Sequence, residues 1–463
     1  MKRILIFIVI TILLLPLNQS SPSEKPPSIP SQKDVRDFIF ALHEKIQNMD
    51  FQKKTNILED LVLYTGNNNN YLANGESSLK DALMKFYNAI GVSYDEEKVN
   101  VFLNKINFSM DAKYAIALLL FSYADAITTA YREEKLEKVA AMVANVKRAA
   151  YVLSSTYLNT SIYDEYHVIC FGDKNRQVFD GGYSFIIDFG GDDIYAERND
   201  SFILDLRGND SYNNQSSLHN ANLIFDIEGN DIYRNTPCSN GEISLLYEAG
   251  GNDKYLGHSC VAFNTSISIL FEADGNDIYE GDNKTQCYSE DSFSILLDIK
   301  GDDIYTANSY SQAAARGGVA ILADLYGNDA YFAGDYSQAF ATGLVGDGLS
   351  ILLNLEGDDD YTAENYSQGY AENGGMALIL DILGQDSYNG GRFSQAASWF
   401  GIAAMLDAEG KNVFRSGAHS RGYKFMGESF FLNNFNFDRG YEILDLLDEL
   451  NINLGKILLY FLQ

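Results

Sequence analysis

Residues 293–305 read Phe-Ser-Ile-Leu-Leu-Asp-Ile-Lys-Gly-Asp-Asp-Ile-Tyr: an apolar strand carrying an acid, then glycine, two carboxylates, a spacer and tyrosine. The same phrase occurs ten times between Tyr183 and Phe414, from IIDFGGDDIY at 186–195 and ILDLRGNDSY at 203–212 to ILDILGQDSY at 379–388 and the decayed MLDAEGKNVF at 405–414. A unit this small cannot bury its apolar side alone, so the copies must stack. Alternation by two within each copy makes the stacked element a strand. The expected fold is mainly β: a single-chain parallel β-solenoid of about ten rungs over residues 166–425. The spacing between successive turn aspartates rises from 17 to 30 residues, so the coil should taper, with later rungs adding loops or a third side.

Stacking converts each recurring residue into a column. With the turn aspartate as position zero, positions −10, −8, −6 and −4 are apolar, as in Phe293, Ile295, Leu297 and Ile299, and are expected inside the coil. Position −7, always apolar (Ile186, Leu296 and Met405 among others), then points outward as a stripe about 45 Å long. Such a stripe needs a cover, which a helical domain or a second copy of the chain would supply. Position −2 is glycine in all ten copies, as positive φ or close backbone approach would require. Position +2 is tyrosine nine times, an aromatic ladder whose hydroxyls need partners, with the acid at −5 a candidate. Gln286, Gln312, Gln338, Gln368 and Gln395, nine residues past their aspartates, should form an amide ladder.

The acids carry the chemistry. Position zero is Asp193, Asp210, Asp231, Asp253, Asp277, Asp303, Asp329, Asp359 and Asp386; position −5 is Asp or Glu in nine copies. Carboxylates about 4.8 Å apart repel by roughly 3–4 kcal/mol per neighbour at an effective dielectric of 20. Three remedies exist: bound cations, backbone N–H donors, or protonation. Calcium suits the first, because carboxylate and carbonyl oxygens are its ligands.

The turns Gly250-Gly251-Asn252-Asp253-Lys254-Tyr255 and Asp274-Gly275-Asn276-Asp277-Ile278-Tyr279-Glu280-Gly281 resemble the RTX nonapeptide of calcium-binding β-rolls. The resemblance covers about ten residues of each repeat and implies calcium between rungs, held by the nine position-zero aspartates and turn carbonyls. In most copies the motif's first two glycines are replaced by an acid and an apolar residue, and each rung has one such turn where the β-roll has two.

Elsewhere the pattern changes. Met1-Lys2-Arg3, the apolar run Ile4–Leu17 and a polar, Pro-rich stretch read as a signal peptide and linker over 1–32, pointing to a secreted or cell-surface protein. Residues 33–165 carry helical spacing (Val35, Phe38, Ile39, Leu42 and Ile46; Leu79, Leu83 and Phe86; Val99, Phe102 and Ile106), with Ser109 as an N-cap. Two short amphipathic stretches, 441–450 and 454–462, suggest a helical cap over 426–463. A net charge of −30 argues against a nucleic-acid partner. Asn-x-Ser/Thr triplets at Asn107, Asn159, Asn264 and Asn365 permit glycosylation. Cys238 and Cys260 each lie seven residues past their turn aspartates, which suggests a disulfide.

These readings give a calcium-binding solenoid with a structural, adhesive or ligand-binding role, its partner a polysaccharide or other cell-surface ligand. The alternative is a polysaccharide lyase or glycoside hydrolase working on the coil wall through Arg316, Arg392, Trp399, His419 and Arg421. No nucleophile, base and orienting group stand at recognisable spacing, so no catalytic residue is assigned.

Overall fold

The computed structural model describes residues 75–129, 132–180, 182–196, 201–213, 222–344 and 348–433. The sequence features at 1–74 and 434–463, including the signal pattern and the two C-terminal amphipathic stretches, lie outside them.

The repeat phrase folds as strand, corner, strand. The first half of each copy forms one wall, as in Phe185–Asp188, Phe202–Asp205, Ile243–Glu248 and Ile267–Glu272. The residues around each tyrosine form a second wall, an eleven-stranded parallel sheet running from Val178–Phe179 to Val413–Arg415. From Cys238–Asn240 onward a third wall appears, continued by Val261–Phe263, Phe340–Thr342, Tyr370–Glu372 and Ala397–Trp399. The added wall explains the lengthening repeat and gives the coil its taper. Strand Glu428–Asn433 extends the first wall beyond residue 425, where the sequence suggested the coil would stop.

Register is strict: like stacks on like, with Asp298 beside Asp324 and Tyr305 beside Tyr331. The glycine at position −2 is required by this closeness. A Cβ on Gly301 would sit 1.7 Å from the carbonyl oxygen of Gly275, and one on Gly327 would sit 1.5 Å from that of Gly301. No side chain fits between two rungs there.

The two faces of the first wall are reversed from expectation. Position −7 points into the coil, where Ile186, Leu246, Leu296 and Met405 pack with the tyrosine ladder. Positions −8, −6 and −4 point outward and join one core with the helices. The physical reason is that both faces are apolar. The outer one is covered, so hydrophobicity alone does not distinguish them.

The cover begins with four helices: α1 (Gly75–Ala89), α2 (Glu96–Lys105), α3 (Met110–Thr128) and α4 (Arg132–Leu153). Ser109 caps α3 by accepting the amide of Ala112 at 3.2 Å. None of the described helices is long and apolar enough to cross a membrane; α3 is buried among its neighbours and the coil wall. Phe86 meets Phe185 (5.8 Å between ring centroids), Phe102 meets Phe171 (5.8 Å) and Tyr123 meets Phe202 (5.6 Å). Each buried ring contributes about 1.5–3 kcal/mol. The Lys135–Glu242 ion pair (2.6 Å) and the Tyr87–Asp164 hydrogen bond (3.0 Å) fix the helical layer on the coil.

The expected Cys238–Cys260 disulfide is not formed. Cys238 pairs with Val261, and the two cysteines belong to different clusters. The chain between corner and third wall is one residue longer on the rung of Asp253 than on that of Asp231, so equal distance from the aspartate is not equal register.

Gly301→Ala should therefore cost about 3 kcal/mol or more, because the carbonyl below cannot yield without breaking a rung. Denaturant melts of the variant check this; a change under 1 kcal/mol would show that the rungs can separate locally.

Candidate functional site

The corner between the first two walls is where the position-zero and position −5 acids meet. All nine sequence-predicted aspartates stand there in single file, each at most 2 % exposed. Their Oδ1 atoms have a task. Asp193 accepts the backbone N–H of Gln177, and each of the others accepts that of the position-zero residue one rung earlier, for example Asp277 N–H to Asp303 (2.6 Å), Asp303 N–H to Asp329 (2.8 Å) and Asp359 N–H to Asp386 (3.0 Å). The adjoining position −1 side chains do the same in the opposite direction on the exposed side: Asn230 Oδ1 accepts from Asn252 N–H at 2.8 Å. Backbone donors at the corner are thus satisfied by side chains of neighbouring rungs.

Facing this file stand the acids at position −5, expected from the sequence as a second acidic column and as partners of the tyrosines, but not as metal ligands. Tyr212 donates to Asp226 at 2.7 Å, Tyr279 to Asp298 at 2.8 Å, Tyr305 to Asp298 at 3.1 Å and Tyr388 to Asp381 at 2.7 Å. The rings stack with centroids 4.4 Å apart at Tyr279–Tyr305, tilted by only 4°. That hydrogen bond held the missing signal. Position −5 shares its face with −7, so acids that reach an interior tyrosine require −7 to be interior too.

On most of these acids one oxygen remains. Oδ2 of Asp210, Asp231, Asp277, Asp303, Asp359 and Asp386 and Oδ1 of Asp226, Asp298, Asp324 and Asp381 are buried without a hydrogen-bond partner. Together with Asp205, Glu248 and Asp329, whose oxygens are all hydrogen-bonded, these acids converge in five groups whose ligand atoms lie within 4.8 Å of one another: Asp205/Asp210/Asp226, Asp226/Asp231/Glu248, Asp277/Asp298/Asp303, Asp303/Asp324/Asp329 and Asp359/Asp381/Asp386. Three hard oxygen donors at that separation fit a metal ion, with tyrosine hydroxyls alongside. They equally fit a proton shared between two carboxyl groups.

Ionised carboxylates are costly here. Burial, with the neighbouring carboxylates adding to it, pushes Asp277 up to about 7, Asp303 to about 8, Asp359 to about 9 and Asp329 to about 10. The backbone N–H bond that each accepts opposes the rise but does not cancel it. Asp298, enclosed completely, is raised well above the ordinary carboxylate range by the same burial. The column needs positive charge, and no lysine or arginine supplies it in the ion pairs among the described residues.

Two asparagines interrupt the columns. Asn412 occupies position zero of the last copy and its amide donates to Asp407. Asn354 occupies position −5 and its amide lies 3.5 Å from Oδ2 of Asp329. Where one acid of a facing pair is absent, an N–H donor stands in its place.

The residues considered for catalysis occupy separate structural posts. Arg421 closes the glutamine ladder, donating to Gln395 Oε1 (3.3 Å) and to the carbonyl of Phe414. That ladder is formed as expected, Gln312 Nε2 reaching Gln286 Oε1 at 3.0 Å. Arg316 lies 3.9 Å from Glu290, His419 stacks on Phe393, and Trp399 stacks on Phe425 with centroids 4.2 Å apart. The amide of Arg392 donates to Asn365 at 3.0 Å.

Comparison with protein-family models, with curated proteins and with solved structures gave no match.

A pH dependence follows. Carboxyl groups raised in the folded state hold protons there that the unfolded chain, titrating near 4, has released. Their stabilising contribution is complete below about pH 4 and is lost as pH rises through the folded values of 7 to 10. Metal-free protein should therefore melt at progressively lower temperature between pH 6 and pH 9. Calorimetry at stepped pH checks this, and a melting temperature that rises over that interval would contradict it.

Proposed function

We propose that this chain is a secreted or cell-surface β-solenoid that takes up calcium inside its coil and offers its outer walls as a structural, adhesive or ligand-binding surface. The observation that carries the reading is the convergence of three buried carboxylates in each of five groups, with oxygens left without partners. Calcium fits the donor chemistry: the ligands are all oxygen, and nitrogen or sulfur ligands that would favour zinc or copper are absent from these groups. The signal-like N-terminus and the net charge of −30 support an extracellular setting, where free calcium is plentiful. An ion held this deep braces successive rungs. The surface ligand would be a polysaccharide or another cell-surface molecule. Trp399 and Phe425, 38 % and 39 % exposed, offer aromatic surface for it on the wide rungs.

A second reading, shared protons in place of calcium, is favoured by Asn354 and Asn412. An amide N–H is the permanent counterpart of a protonated carboxyl, and it stands at the two points where a column loses its acid.

Isothermal titration of chelator-treated full-length protein, with metal analysis before and after, separates the two. The calcium reading predicts heat on addition, proton release in proportion to calcium taken up, and a higher melting temperature at pH 8. Absence of both binding and thermal shift leaves the columns to protons and removes calcium from the account. Under the calcium reading, Asp381→Asn should abolish uptake at the Asp359/Asp381/Asp386 group and lower the bound calcium by about one ion per chain.

A further inference from the structure

Cys260 and Cys287 lie one above the other inside the coil. Val261 pairs with Tyr288 in the third wall, so the residues just before them are rung neighbours. Bonds from Cys287 N–H to Ser259 O (3.4 Å) and from Tyr288 N–H to Cys260 O (3.1 Å) hold that register. Both cysteines adopt left-handed backbone, with φ of 51° and 70°, and both are fully buried in the inward cluster beside the tyrosine ladder. In-register neighbours in a parallel sheet stand about 4.8 Å apart, within the Cα range a disulfide accepts. Burial raises the thiol of Cys260, and the neighbouring Cys287 adds to the rise.

The rest of the column sharpens the point. Above Cys287 the same position holds Ala313, Ala339, Gly369 and Ala396. Packing there asks only for a methyl group or less. Two consecutive sulfurs are more than the space requires, and they occur on adjacent rungs. Cys238 belongs to a different cluster, opposite Val261, and Cys170 lies far down the coil beside Ile186.

We propose that Cys260 and Cys287 form a disulfide when the chain folds in the presence of a low-molecular-weight disulfide. One cysteine thiolate attacks a sulfur of that oxidant, forming a mixed disulfide and releasing one small thiol. The second thiolate attacks the protein sulfur of the mixed disulfide, closing the protein S–S bond and releasing the other small thiol. Two thiol protons leave the protein, and its two electrons reduce the oxidant to two thiols. Both sulfurs are enclosed once the rungs close, so the exchange precedes closure and the finished bond is shielded from reductants. It fastens consecutive rungs where the third wall is being established.

The test is to refold the full chain in a mixture of reduced and oxidised glutathione, quench with acid, alkylate under denaturing conditions and map the peptides without reduction. The expected result is one linked pair, Cys260–Cys287, with Cys170 and Cys238 alkylated. The oxidised protein should melt about 5–10 °C above the reduced form. The variants Cys260→Ala and Cys287→Ala place in the column the residue it holds at 313 and 339, so they should fold. Each should abolish the link and the redox-dependent shift in melting. Four alkylated cysteines, a link through Cys238, or a redox shift that survives in both variants would each overturn the proposal.

Discussion

The constraint on which everything else rests is the one-rung step of a parallel coil. Strand neighbours about 4.8 Å apart and in strict register force each residue to sit on its own kind. For apolar groups, tyrosine rings and glutamine amides this is favourable, and the ladders from Tyr195 to Tyr388 and from Gln286 to Gln395 are the outcome. For carboxylates it is not. A like charge at that distance costs several kcal/mol in partial shielding, more once the column is dry. The coil cannot relieve the strain by slipping, because a shift of one residue would carry every interior side chain to the outer face.

The first wall therefore works on both sides at once. Its inner face is chemical: a packing residue at −7 and the acid at −5 directed at the tyrosine hydroxyls. Its outer face is adhesive within the molecule, binding α1 to α4 through Phe185, Phe202 and their neighbours. The glycine at position −2 permits the corner, the position-zero aspartate satisfies its amides, and the leftover oxygens are the consequence. Among the described residues, those oxygens form the groups that could hold a metal ion.

Much of this was legible in the sequence. The repeat length, the alternation and the glycine column lead to a parallel coil. Ser109 marks the start of α3, and the lengthening spacing leaves room for added loops or a third side, of which the third side is formed. The inside and outside of the first wall were not legible from hydropathy, since Phe293 and Leu296 are equally apolar; only the hydrogen-bond requirement of Tyr305 separates them. The cysteine register failed for a related reason. Distance along the chain from Asp231 to Cys238 equals that from Asp253 to Cys260, but the loop between them grows, and counting residues does not count rungs. The site was half legible: the position-zero aspartates stood out by repetition. Their partners at −5 were recognised as acids without being seen as the opposite side of the same cluster.

The central claim is that the acid columns are neutralised inside the coil, by ions or by protons, and never stand bare. Infrared spectroscopy of the carboxyl stretch measures this directly, comparing metal-free and calcium-loaded protein at pH 7 in heavy water. The account predicts a strong band from buried protonated carboxyl groups in the metal-free protein, which calcium, if it binds, replaces with the bands of coordinated carboxylate. A metal-free, folded protein whose spectrum at pH 7 contained only ionised carboxylates would contradict it.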